Sequence, residues 1–274
     1  MKGRVLIVAG SDSGGGAGIQ ADIKAVTALG GFAATAITAL TAQNTLGVFS
    51  IHAVPPEFIA QQMRLVLEDI GADAIKIGML HSAAVIETVA AEIEARAPGV
   101  PVVVDPVMVA KGGARLLEDE AVEALRGRLL PLARIVTPNI PEAEALVGEA
   151  LAGPEAMEGM ARRLLVFGPR AVLLKGGHMV GAVLRDVLVD GAGGEAGAAE
   201  IFESPRIETR HTHGTGCTLA SAIAVGLAQG MDLSAAVARA RAYVWTAIHN
   251  APGYGKGHGP LDHGHTMRPV EGGV

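Results

Sequence analysis

Short runs of β-branched and aliphatic residues alternate along this chain with stretches in which apolar residues recur at helical spacing, and that alternation admits few architectures. Residues 5–9 are a continuous apolar run that gives way to a glycine-rich loop at 10–18. Ile19, Ile23, Val26 and Leu29 then recur as one face of a helix. The change repeats: residues 32–40 and 48–54 read as extended, and Pro56 opens a helix with Ile59, Met63, Val66 and Ile70 inward. Residues 74–80 form a strand, Ser82 caps a helix carrying Val85, Val89 and Ile93, and 102–104 is a strand that ends at Asp105. A strand at 134–137, helices at 141–147 and 155–167, a strand at 171–175 and a hairpin from 183–189 and 200–207 follow. Two helices near 215–229 and 233–250 close the pattern. Such an order predicts one α/β domain over 1–274, a mostly parallel sheet covered on both faces, with a mobile Gly-, His- and Pro-rich tail over 260–274.

Composition narrows the partners. Half of the residues are apolar but only 3% are aromatic, so the core is built from Ala, Val, Leu and Ile packed around 37 glycines, and a disordered chain is excluded. The net charge of −6, with no basic run, argues against nucleic acid. Cys217 is the single cysteine, so no intramolecular disulfide forms and a reducing, cytoplasmic setting fits. The apolar run at 5–9 is shorter than the roughly 7 to 15 residues of a signal-peptide core. Residues 25–42 carry no charge and mimic a membrane span, but Gly30-Gly31 and the threonines at 27, 35, 38 and 41 make them a helix end followed by a buried strand, and no membrane partner is expected.

In a parallel sheet, ligands bind beyond the carboxyl ends of the strands. There this chain carries Gly10-Ser11-Asp12, then Asp105, Thr137-Pro138-Asn139 with Glu142 behind, and Lys175-Gly176-Gly177-His178. A carboxylate, an Asn/Glu pair and a lysine together suit a phosphate and Mg²⁺ site. Gly16-x-Gly18-x-x-Ala21 loosely matches a dinucleotide fingerprint, but residues 33–42 lack the acidic residue that would hold the ribose, and no P-loop is present. His213-Gly214-Thr215-Gly216-Cys217-Thr218 opens an apolar helix, so free N–H groups and the helix dipole make an anion hole at Gly214, Thr215, Gly216 and Cys217. The same field predicts a Cys217 thiol lowered from its free value of about 8.5, partly thiolate and able to act as a base. His211, His213, His258, His263 and His265 include H-x-H pairs, but without a second cysteine or nearby acids no dedicated transition-metal site is expected.

These motifs, together with Thr38-Ala39-Leu40-Thr41-Ala42-Gln43-Asn44-Thr45, Lys76-Ile77-Gly78-Met79-Leu80, Asp105-Pro106-Val107-Met108 and Gly257-His258-Gly259-Pro260, stand in one order over nearly the whole chain. In that order the chain resembles the hydroxymethylpyrimidine/phosphomethylpyrimidine kinases of thiamin synthesis, members of the ribokinase-like superfamily. The resemblance implies a three-layer α/β/α fold, ATP and Mg²⁺ as cofactors, a small pyrimidine substrate and a homodimer. It implies that Asp22 and Gln43 read the pyrimidine edge, that Gly10, Met79 and Val107 line the ring pocket, and that Asp105, Thr137, Asn139, Glu142 and Lys175 serve the ATP phosphates. Asp105 and Glu142 would organise Mg²⁺ through its waters, and Cys217 would accept the substrate hydroxyl proton. Two other readings stand beside it: a pyridoxal or pyridoxine kinase on the same scaffold, and a pyrimidine-binding protein without turnover.

Overall fold

The computed structural model describes residues 2–108, 116–117, 119–191 and 197–267. Along the chain run β1 (Arg4–Asp12), α1 (Gly18–Ala28), β2 (Phe32–Asn44), β3 (Gly47–Ala53), α2 (Pro56–Asp69), β4 (Ala74–Ile77), α3 (Ala83–Arg96) and β5 (Val102–Val104). They continue with α4 (Asp119–Ala124), β6 (Ile135–Val136), α5 (Ile140–Val147), α6 (Met157–Leu165), β7 (Ala171–Lys175), β8 (Val183–Asp190), β9 (Glu200–Pro205), α7 (Thr215–Ala228) and α8 (Leu233–His249). One sheet takes the order β3-β2-β1-β4-β5-β6-β7-β8-β9. Its centre, β2 through β7, is parallel, and β3, β8 and β9 add antiparallel edges.

Alternation along the central strands sorts the core onto two faces. Leu6 and Val8, with Ile75, Ile77, Val104 and Leu174, pack under helices α2 to α6. Val5, Ile7 and Ala9, with Val103, Ile135 and Leu173, pack under α1, α7 and α8. This is the expected three-layer α/β/α arrangement of a ribokinase-like fold, assembled from small aliphatic side chains. Helix starts follow local chemistry: Ser82 and Asp232 cap α3 and α8 through their side-chain oxygens, and Asn139 and Glu142 make a reciprocal capping box at α5.

The structure departs from the sequence pattern at several places. β2 runs to Asn44, past the predicted end at residue 40, because its outer half pairs with β3 as an antiparallel arm rather than with the parallel core. Strand β1 extends through Asp12 with a register shift between Ala9 and Ser11, whereas β4 is shorter than predicted. Between β5 and β6, α4 runs into a π turn at Leu125–Leu129 and a 3-10 turn at Leu130–Leu132, where the sequence reading assigned no element.

Residues 260–267, the start of the tail expected to be mobile, are packed against the domain. Leu261 and His263 are buried, His213 bridges Pro260, and Asp262 N–H reaches the Ala247 carbonyl at 3.0 Å. Apolar burial and these bonds offset the chain entropy that its Gly and His content suggested. Residues 268–274 of that tail lie outside the described residues. His263 Nε2 sits 2.9 Å from Thr218 Oγ1, and Tyr243 O–H donates to the His263 carbonyl at 2.7 Å. Burial pushes the His263 imidazole down to about 4. The unfolded chain therefore takes up a proton below about 6.5 that the folded chain refuses, so stability falls as pH drops toward 4. Urea unfolding should show a loss of about 2 kcal/mol between pH 7 and 5 that is absent in His263→Gln.

Candidate active site

The glycine-rich loop is folded around Asp12. Its carboxylate accepts the N–H groups of Gly14 at 2.7 Å, Gly16 at 3.0 Å and Ala17 at 2.7 Å, and lies 2.9 Å from His213 Nε2. Burial opposes its charge, but bonds from His213, Ala17 and Gln43 overrule it and hold Asp12 at about 2. The loop is thereby tied to the turn before α7. Gln43 Nε2 lies 3.5 Å from His213 Nε2, which places Gln43 at the rim where loop, arm and turn meet. His213 and Asp12 thus hold this junction, a structural role that the sequence reading did not assign to either.

At the same carboxyl end of the parallel strands, Asp105 is buried and accepts Lys175 Nζ at 3.0 Å and Thr137 Oγ1 at 3.2 Å on the same oxygen. Burial works against the Lys175 ammonium, yet Asp105 and Glu142 hold its pKa above the ordinary lysine value. Burial also pushes the Glu142 carboxyl up to about 7, with Asp105 adding to the rise and Lys175 opposing it. Asn139 and Glu142 spend their capping-box bonds on each other, with N–H to oxygen distances of 2.8 and 2.9 Å, yet carboxylate lone pairs remain. Thr137 is fully buried behind Asp105 and donates its hydroxyl to that carboxylate.

Helix α7 points its N-terminus at this pair. Gly214, at φ +83°, has no room for a side chain: a Cβ there would lie 1.8 Å from the Gly16 carbonyl oxygen. A Cβ on Gly216 would lie 3.3 Å from both Asp105 Oδ2 and Lys175 Nζ, so the first turn of α7 sits directly against the polar strand ends. The N–H groups of that turn lack intrahelical acceptors, which makes Gly214 to Cys217 an anion hole. Cys217 lies there partly exposed. Its expected lowering is overturned, because burial pushes the thiol up to about 12 and outweighs Lys76 and the Gly18 N–H, which act to lower it.

Opposite the anion hole, Met79 packs with Ala39 and Leu116, and Ile51 and Val107 close the cluster. A Cβ on Gly10 would stand 3.2 Å from Met79 Sδ. Gly10, Met79 and Val107 are thus brought together, as the sequence reading placed them, into an apolar surface that suits a flat ring. Asp22 is not part of it. It is fully buried, with its oxygens bound to Lys76 Nζ at 2.9 Å and Ser221 Oγ at 2.7 Å. Its position four residues into α1 turns it inward to the sheet, which helical spacing alone did not distinguish from an outward face. Lys76 was missed, although a lone charge inside the four-residue strand Ala74–Ile77 is the signal that marks it.

An anion hole on a helix N-terminus, facing a lysine and two carboxylates at the ends of a parallel sheet, belongs to an enzyme that transfers phosphoryl groups on a ribokinase-like fold. The sequence profile described as phosphomethylpyrimidine kinase matches residues 12–262, and the chain belongs to that family. It is 48% identical over 260 residues to a hydroxymethylpyrimidine/phosphomethylpyrimidine kinase of Streptomyces coelicolor, covering 95% of this chain and 94% of that one. A thiamine biosynthesis bifunctional protein of Geobacter sulfurreducens is 55% identical over 262 residues, 96% of this chain and 52% of that one, so the chain spans about half of that relative. Among solved structures, the pyridoxal kinase of Staphylococcus aureus in complex with AMP-PCP and pyridoxal superposes with a TM-score of 0.88 at 33% identity, over 98% of this chain and 96% of that one. Nucleotide-bound neighbours of this kind support ATP as phosphoryl donor. No helix among the described residues is long and apolar enough to cross a membrane.

Proposed function

We propose that residues 1–274 act as one kinase domain that phosphorylates 4-amino-5-hydroxymethyl-2-methylpyrimidine and then its monophosphate, yielding the diphosphate used for thiamin. The observation that supports this reading is the first turn of α7 set against Asp105 and Lys175, with Met79 and Val107 clustered beside Gly10 at the ends of the neighbouring strands. In the first step the substrate hydroxyl oxygen bonds to the γ-phosphorus while its bond to the bridging oxygen of ADP breaks. The electron pair leaves with ADP, and the hydroxyl proton passes to the Cys217 thiolate, giving the neutral thiol. The second step starts from an ionised phosphate ester and needs no base. Gln43 at the rim would read the amidine-like edge of the pyrimidine, while the Asp22 carboxylate is turned to Lys76 and Ser221.

Two oxygen-donor carboxylates beside a phosphate site match Mg²⁺, which keeps most of its waters and takes only one or two protein carboxylates. Asp105 and Glu142 would hold it through those waters and it would neutralise phosphate charge. Glu142→Gln should raise the Mg²⁺ concentration needed for half-maximal rate about tenfold or more, read by Mg²⁺ titration at saturating ATP.

Pyridoxal is the second substrate reading, favoured by the pyridoxal-bound neighbour of equal fold. We further infer a cytoplasmic homodimer. Exposed Leu40, Leu46 and Phe49 on the β2–β3 arm supply an apolar face for a second copy. ATP- and Mg²⁺-dependent turnover of the pyrimidine beside pyridoxal, with monophosphate resolved from diphosphate, tests the substrate. Diphosphate from the pyrimidine is expected. A preference for pyridoxal with monophosphate alone would move the assignment, and binding without turnover would leave only the non-catalytic reading.

A further inference from the structure

Two helices bring their N-termini together near Cys217, which lies in the first turn of α7 with the start of α1 beside it: a Cβ at Gly214 would stand 3.2 Å from the Ala17 Cα, at the cap of α1. One turn further along both helices, Asp22 and Ser221 meet, with Ser221 Oγ donating to Asp22 Oδ1 at 2.7 Å. Strand β4 inserts Lys76 into this second contact, its Nζ 2.9 Å from Asp22 Oδ2, and neither charged side chain is exposed. The space is shaped around the ammonium: a Cβ at Gly78 would stand 2.8 Å from Lys76 Nζ and 2.9 Å from the Ala9 Cβ. A buried ion pair carries a desolvation penalty that an apolar pair of the same volume would avoid, so packing alone does not account for it. Nothing in the proposed chemistry has yet used it.

We propose that Lys76 is a positioning residue for phosphoryl transfer: fixed by Asp22 and Ser221, its ammonium is a cation held one helical turn beneath Cys217, where it supports negative charge that forms at the meeting of the two helix N-termini. The proposal rests on the phosphoryl-transfer reading of the site. Four charged groups face Cys217 from the elements packed around it: Asp22 on α1, Lys76 on β4, Asp105 after β5 and Lys175 on β7. Lys76 is the strongest of the charges that favour the thiolate, while Asp22 and Asp105 oppose it.

Because Cys217 is the only cysteine of the chain, its alkylation reads this one position in the full-length protein. The same thiolate attacks the carbon of neutral iodoacetamide and of anionic iodoacetate, displacing iodide from each, so the ratio of the two rates reports the local charge apart from folding or access. In Lys76→Met the iodoacetate-to-iodoacetamide ratio should fall about threefold, and the iodoacetamide rate at pH 8 about tenfold, the effect of one pK unit. Ser221→Ala loosens the contact without removing a charge and should leave the ratio unchanged. Should Lys76→Met fail to fold, the Lys76→Met/Asp22→Asn double variant leaves no unpaired buried charge and should show a fall in the same direction but smaller, because Lys76 acts on Cys217 more strongly than Asp22 does. A folded variant lacking Lys76 that keeps both the wild-type ratio and the wild-type iodoacetamide rate overturns the proposal. The alkylation is read without substrate, so its outcome is separate from whether the wild-type protein turns over the pyrimidine.

Discussion

Cys217→Ala is expected to slow the first phosphorylation, of the hydroxymethyl group, by about 10²-fold or more, while the second, of the monophosphate, falls only about threefold. An alcohol must shed a proton to attack phosphorus, whereas a phosphate ester near pH 7 has already lost its own. Since burial pushes the thiol up to about 12, the thiolate is a minor form at neutral pH. The wild-type first step should therefore rise with pH between 7 and 9, and the variant should lose that rise. Separate initial rates on the two substrates, each over that pH range, decide the matter. Equal losses in both steps, with the pH slope intact, would make Cys217 a packing residue of the anion hole and nothing more.

Gly214→Ala should instead abolish both steps together, by about 10²- to 10³-fold each, the loss typical when an oxyanion donor is withdrawn. The backbone at 214 has φ +83°, and a Cβ would lie 1.8 Å from the Gly16 oxygen, so the loop or the first turn of α7 must move. Either shift turns N–H groups away from the phosphoryl position. Circular dichroism should show a folded chain, because the sheet and its two apolar faces do not depend on this turn. A variant that keeps either step within tenfold of wild type would remove the anion hole from the mechanism as described.

Much of this was readable from residue order. Short continuous apolar runs and helical faces of period near 3.6 placed the parallel sheet, and the rule that ligands gather at strand carboxyl ends picked out Asp105, Glu142 and Lys175 before any coordinates. What failed did so for physical reasons. Asp22 was set at the pyrimidine edge by the resemblance alone, and helical spacing, which gives a residue's angle but not the neighbour on that side, could not show that β4 brings Lys76 against it. The Cys217 shift was read from the helix dipole alone, whereas desolvation, a property of tertiary packing, sets its direction. That the Thr137 hydroxyl bonds to the Asp105 carboxylate was not legible either, because a position after a strand does not fix the depth of its side chain. The π turn at Leu125–Leu129 has no sequence period to announce it.

The C-terminal segment that closes over Thr218 and His213 also reaches Thr45 at the tip of the arm, where His258 N–H donates to the Thr45 carbonyl at 2.8 Å. Residues from the first fifth of the chain and from its last twenty described positions are thus joined in a single constellation. Contacts of such long sequence separation form late in folding, since their loop entropy must be met first. Catalytic competence in this protein should accordingly be the last property acquired on refolding, trailing the recovery of sheet signal, and no fragment that stops short of His263 should display it.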